Sequence, residues 1–114
     1  MKKIISLKRN SEFQALYKRG NSSVKPTMVV YATKSREPKV RLGLTAGKKI
    51  GSAVYRNRAK RRIREIFRLE MDSFKPNLNI CIVARSKVLT ETHEKIVSDF
   101  RSAAKELGLY NETL

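Results

Sequence analysis

An α+β sandwich, with helices laid against a β-sheet, is the fold class this sequence predicts. Segments whose apolar residues recur at i, i+3 and i+4 alternate with segments of period two and with one short, nearly continuous apolar run. They follow closely, without linker, internal repeat or low-complexity tract. The 114 residues, 40% of them hydrophobic, suffice for one core and a single domain over residues 1–114, and not for two.

The first helix is "NSEFQALYKRG". Asn10 or Ser11 caps it, Phe13, Leu16 and Tyr17 share one face, and Gly20 stops it. "SSVK" leaves room for a short extra strand. "TMVVYATKSREPKVRLGLTAG" reads as two strands around the polar turn "KSREPK", an expected antiparallel hairpin; Val40, Leu42, Leu44 and Ala46 alternate with Arg41, Gly43 and Thr45. A long helix follows over residues 52–71 and ends before Pro76. "LNICIVAR" has the continuous apolar character of a central strand. Thr90 is placed to cap a last helix, where Ile96, Val97, Phe100, Ala103, Ala104 and Leu107 form an apolar stripe and Gly108 is the stop. The element order read from the residues is α-β-β-α-β-α, and helices must cover a sheet to bury these faces.

The charge is lopsided: 26 Lys and Arg against 10 Asp and Glu, a net +16. Such an excess repels itself and is matched by a polyanionic partner, nucleic acid or an anionic surface. Its densest part, "YRNRAKRRIRE", lies on the long helix. At 100° per residue, Tyr55, Ala59, Ile63, Ile66 and Phe67 gather on the core face. Asn57, Arg61, Arg64 and Arg68 recur at i, i+4, i+7 and i+11 on the other side, with Arg58 beside them and Lys60 and Arg62 flanking. Arg56 falls near the apolar edge and is expected to reach along the sheet. A solvated helix face mixes signs; this one sets Glu65 and Glu70 against seven Lys and Arg. Like charges at i, i+4 destabilise a helix by a few tenths of a kcal/mol each, and a row of phosphates relieves that, since the guanidinium fork binds phosphate bidentately. Just before the helix, "GKKIGS" brings Lys48, Lys49, Gly51 and Ser52 to its N-terminus, an expected anion site. The glycine spacing is not that of a P-loop, and the segment reads equally well as a plain strand-to-helix turn.

Other features point away from chemistry on the protein. Cys81 is the only cysteine, so no internal disulfide forms, which fits a reducing cytosol, and its alternation with Ile80 and Ile82 marks a small buried residue. His93, the only histidine, is expected at the surface. No Cys/His cluster has zinc-ligand spacing, and Asp72 and Asp99 lie far apart, so no metal site is expected. "MKKIISLKRN" opens like a signal peptide, but its apolar run from Ile4 to Leu7 is short and broken by Ser6.

The segments "RNRAKRRIR", "GLTAGKKIGSAVYRNR" and "LKRNSEFQALYKRG" together resemble the protein component of bacterial ribonuclease P over nearly the whole chain. The resemblance implies an α-β-β-β-α-β-α fold like domain 2 of ribosomal protein S5, with a left-handed β-α-β crossover around the basic helix, an exception to the usual hand. It implies an RNA-binding subunit that assists a catalytic RNA in removing the 5′ leader of precursor tRNA. The RNA does the chemistry with Mg2+, and the protein supplies no catalytic residue and holds no cofactor of its own. Arg58, Lys60, Arg61 and Arg64 match positions that contact the RNA subunit, and Arg62 and Arg68 extend that set. Phe13, Tyr17, Tyr31, Lys49, Arg56 and Asn57 would line the leader cleft. Tyr17 stands where a bacterial form of the family carries phenylalanine, but a phenol still stacks. The implied assembly is one protein with one RNA, away from membranes, in the bacterial cytoplasm.

Aromatic platforms along a positive groove are also the physical means of holding single-stranded RNA, although the residues alone read more readily as plain core. A structural RNA-binding protein of the ribosome is the alternative reading; it would share charge and fold without needing a stacking surface. A DNA-binding regulator would present its helix from a helix-turn-helix or a dimer. A membrane-surface protein would place aromatics opposite the basic stripe.

Overall fold

The computed structural model describes residues 4–111; the start of the signal-like opening, residues 1–3, lies outside the described residues, as do residues 112–114. The chain forms β1 (Ile5–Ser6), α1 (Asn10–Arg19), β2 (Asn21–Val24), β3 (Met28–Lys34), β4 (Val40–Ala46), α2 (Ala53–Glu70), β5 (Leu78–Ala84) and α3 (His93–Glu106), with 3-10 turns at Lys48–Ile50, Met71–Ser73 and Ser86–Leu89. The α-β-β-β-α-β-α order is present, preceded by the two-residue β1. The extra strand at residues 21–24 also forms.

One five-stranded sheet runs β1-β4-β5-β3-β2. β4 pairs parallel with β5, and β3 pairs antiparallel with it. The expected hairpin between β3 and β4 is therefore absent: β5 lies between them. Their connection straddles the start of β5, where Ser35 N–H donates to the Asn77 carbonyl and Leu78 N–H to that of Lys39. The reason lies in the apolar content of β5. Leu78, Ile80, Ile82 and Ala84 feed one face and Cys81 the other, so the strand needs cover on both faces and takes the centre.

On the first face α2 and α3 close the larger core. Ala59, Ile63, Ile66 and Phe67 from α2 meet Ile96, Phe100, Ala103 and Ala104 from α3 over Met28, Val30, Leu42, Ile80 and Ile82. On the second face α1 lies alone over a smaller cluster of Leu7, Leu16 and Cys81. One ten-residue helix cannot cover five strands, so part of this face stays open.

The caps differ from expectation at two helix starts. α1 begins at Asn10 with Arg9 in the cap position, and Glu12 Oε1 turns back to accept from the Arg9 and Lys8 amides at 3.0 and 3.3 Å. α3 is capped by Thr92, whose hydroxyl accepts from Lys95 N–H at 3.2 Å; Thr90 instead ends the preceding 3-10 turn. α2 starts at Ala53, one residue after the expected start, with Ser52 in its cap position. Gly108 ends α3 with φ +67°, and the Leu109 and Gly108 amides donate to the Ala104 and Lys105 carbonyls, a pairing that needs a left-handed residue at that point.

Candidate nucleic-acid interface

The partly open face gathers the predicted aromatics. Phe13 lies directly over Gly43 of β4, where an added Cβ would stand 2.4 Å from the ring. A glycine inside a strand alternation signals such a close approach, and it is the sign in the sequence that could have placed Phe13. Tyr17 and Tyr31 meet edge to face, centroids 5.0 Å apart at 74°. Tyr17 O–H sits 3.7 Å from Cys81 Sγ. Burial, and then the neighbouring sulfur, push the Tyr17 phenol up to about 12, so it stays neutral at every physiological pH. Phe13 and Tyr31 are half-buried and Tyr17 is 38% exposed. The three rings are thus rooted in the smaller core and still reach solvent.

β4 leads from this face through the Lys48–Ile50 turn into α2. Lys48, Lys49, Gly51 and Ser52 are exposed, and the Ser52 side chain makes no capping bond. Arg56 is half-buried, and its Nε is buried without a partner among the described residues, a donor left for a ligand or for water. Asn57, Arg58, Arg61 and Arg64 are exposed and make no ion pair among the described residues. Arg68 is held at 3.3 Å by Glu65. Lys60 and Arg64 share a small groove of about 140 Å³ with Phe13, Leu7 and Gly43 at the β1–β4 edge, so the basic helix and the first helix open onto one surface.

Two residues fall elsewhere than expected. Arg62 is half-buried and donates to the main-chain carbonyls of Val88 at 2.6 Å and Glu91 at 3.1 Å. It braces α2 against the Ser86–Leu89 turn and presents little of its fork to a phosphate. Tyr55, placed by the wheel on the core face, is 50% exposed, because the core ends at Ala59, one turn further on. His93 is exposed, and Cys81 is fully buried, with burial raising its thiol above the usual range.

The carboxylates are largely engaged. Glu12 and Glu37 pair with Arg41, Glu65 with Arg68, Glu70 with Arg101, Asp99 with Lys95 and Glu106 with Lys25. Among the described residues no three His, Cys, Asp or Glu converge as metal ligands, and no helix is long and apolar enough to cross a membrane.

Fold and surface define a class: a small α+β protein with unpaired arginines along one helix and a half-open aromatic face beside it, a surface complementary to a polyanion. The ribonuclease P family model matches residues 1–108, and the chain belongs to that family. It is 38% identical over 111 residues to the ribonuclease P protein component of Exiguobacterium sibiricum, covering 96% of each. The solved RNase P protein of Staphylococcus aureus superposes with a TM-score of 0.83 at 32% identity, covering 96% of this chain and 100% of that one. That of Thermotoga maritima superposes at 0.75 with 25% identity, covering 85% and 92%.

Proposed function

We propose that this chain is the protein subunit of a ribonucleoprotein that removes the 5′ leader from precursor tRNA. It binds the RNA subunit as a monomer, one to one, in the bacterial cytoplasm, through Arg58, Arg61, Arg64 and Arg68, with Lys60 at the edge. The leader lies over Phe13, Tyr17 and Tyr31, flanked by Lys49, Arg56 and Asn57. Cleavage belongs to the RNA and its Mg2+. Supporting this division, six of the ten carboxylates are held in ion pairs within the fold. Arg62 is assigned to bracing α2.

The observation that carries this reading is the Tyr17–Tyr31 pair, edge to face at 5.0 Å on a face that α1 only partly covers. A pair serving the core alone would be closed over. The test is binding of the reconstituted holoenzyme to precursor and mature tRNA. Phe13→Ala, Tyr17→Ala and Tyr31→Ala each remove a stacking surface worth about 1–3 kcal/mol per base. Precursor binding should weaken by about fivefold or more, with mature tRNA and RNA-subunit binding nearly unchanged. Equal losses on both tRNAs, in variants that still fold, would make the three rings plain core. Protein freed of RNA should leave precursor tRNA uncut.

A further inference from the structure

We propose that Tyr55 is a stacking platform for an unpaired nucleobase of bound RNA, a contact separate from the aromatic face beside α1. This rests on the RNA-binding reading above and adds a ligand moiety and a place.

Tyr55 shares its side of α2 with Ala59 and Ile63, both 0% exposed, yet is itself 50% exposed. It lies one turn beyond the core. Its hydroxyl makes no hydrogen bond among the described residues. The ring rests against Gly51, where an added Cβ at φ +129° would stand 3.2 Å from Tyr55 Cδ2. Any other residue there would be strained and would crowd the ring. The side chain is therefore positioned before any ligand arrives, which lowers the ordering cost of binding.

The surroundings suit one kind of occupant. Residues 47–64 hold eight Lys and Arg and no Asp or Glu. Ala46 of β4 pairs with Ala84 of β5, so the Lys48–Ile50 and Ser86–Leu89 turns leave the sheet at the same end. Arg62, seven residues after Tyr55 and on the same side of α2, ties the helix to the second turn through Val88 and Glu91. Tyr55 thus stands at the sheet end where both turns emerge. Those turns carry Lys48, Lys49 and Lys87, all exposed and without ion pairs among the described residues. An aromatic ring among unpaired cations fits a base with phosphates on either side. Val54 beside Tyr55 is also exposed, but two such residues fall short of the continuous apolar patch that an apolar protein partner would need, and charged residues follow Tyr55 on α2.

The test is equilibrium binding of the full chain to two single-stranded RNAs of equal length, one bearing bases and one abasic. Tyr55→Ala and Tyr55→Leu should weaken the base-bearing RNA by about fivefold or more and leave the abasic one unchanged, while Tyr55→Phe binds as wild type. Binding to the isolated RNA subunit, and holoenzyme binding to precursor and mature tRNA, then identify the source of the base. Loss on the RNA subunit places it there, and loss on precursor alone places it in the leader. Equal loss on both oligomers, Phe as weak as Ala, or no loss in any variant would overturn the proposal. Failure of the functional reading is distinct: the wild-type protein would then not support cleavage by the RNA subunit.

Discussion

Asp99 is a carboxylate only 4% exposed in a protein that is otherwise overwhelmingly basic. Burial alone would raise its pKa. The Thr27 hydroxyl at 2.7 Å, Lys95 at 3.1 Å and the Thr27 amide at 3.1 Å outweigh that and hold it below the usual carboxylate range. A carboxyl with a lowered native pKa stabilises the fold above its unfolded value, near 3.9, and that contribution is lost as pH falls through the native value. Asp99→Asn should cost about 1–3 kcal/mol at pH 7, and the gap to wild type should begin to narrow only as pH falls below the unfolded value, near 3.9. Urea unfolding from pH 7 to pH 2.5 checks this; a gap constant with pH would mean that packing, not charge, sets the cost. Nothing in the sequence near Asp99 announced this role, because Thr27 is distant in the chain and only the sheet brings it to α3. Tyr55 illustrates the same limit. The helical wheel gave its direction correctly, but no wheel knows where the sheet beneath it ends. The cleft aromatics were legible as a face, and their root in the smaller core was not, since it depends on how much sheet α1 covers.

The helices and strands were readable from periodicity; their neighbours were not. β3 and β4 alternate as half-buried strands should, and a polar turn joins them, so local pattern favours a hairpin. β5 separates them because it is apolar on both sides, a condition set by the whole sheet. The parallel β4–α2–β5 unit that results fixes α2 across the sheet and so fixes its arginines in a row. Within that row two adjacent residues do different work. Arg62 holds the Val88 and Glu91 carbonyls, charge-assisted bonds worth about 1.5–3 kcal/mol each at most. Arg61 is exposed and unpaired among the described residues. Arg62→Ala should lower stability by about 1–3 kcal/mol and leave the salt dependence of RNA-subunit binding nearly unchanged. Arg61→Ala should alter stability by under about 0.5 kcal/mol and flatten the log–log salt slope by about 0.7–0.9. Thermal melts paired with binding at four salt concentrations separate the two, and matching behaviour would refute the division of roles.

At the scale of the molecule, the net charge of +16 sits on a compact body with a radius of gyration of 13.2 Å, close to the expectation for a chain this size. Its unpaired cations concentrate on α2 and the turn before it, so self-repulsion is strongest on the surface proposed to receive phosphates. A polyanion that binds only the native state adds RT ln(1 + [L]/Kd), about 2.7 kcal/mol at a hundredfold excess over Kd. For a domain of this size that corresponds to a rise in Tm on the order of 10 °C. Sulfate alone is a poor probe, because at high concentration it stabilises most proteins by exclusion from their surface. Pyrophosphate or a short RNA at micromolar to millimolar concentration escapes that objection. Either should raise Tm along a saturable binding curve, well beyond chloride at equal ionic strength. The double change Lys48→Ala and Lys49→Ala should remove much of the pyrophosphate effect if the turn before α2 is the anion site, and little of it if the arginine row is. Shifts equal to those in chloride would mean that screening alone relieves the repulsion, and that no part of this surface is organised to receive phosphate.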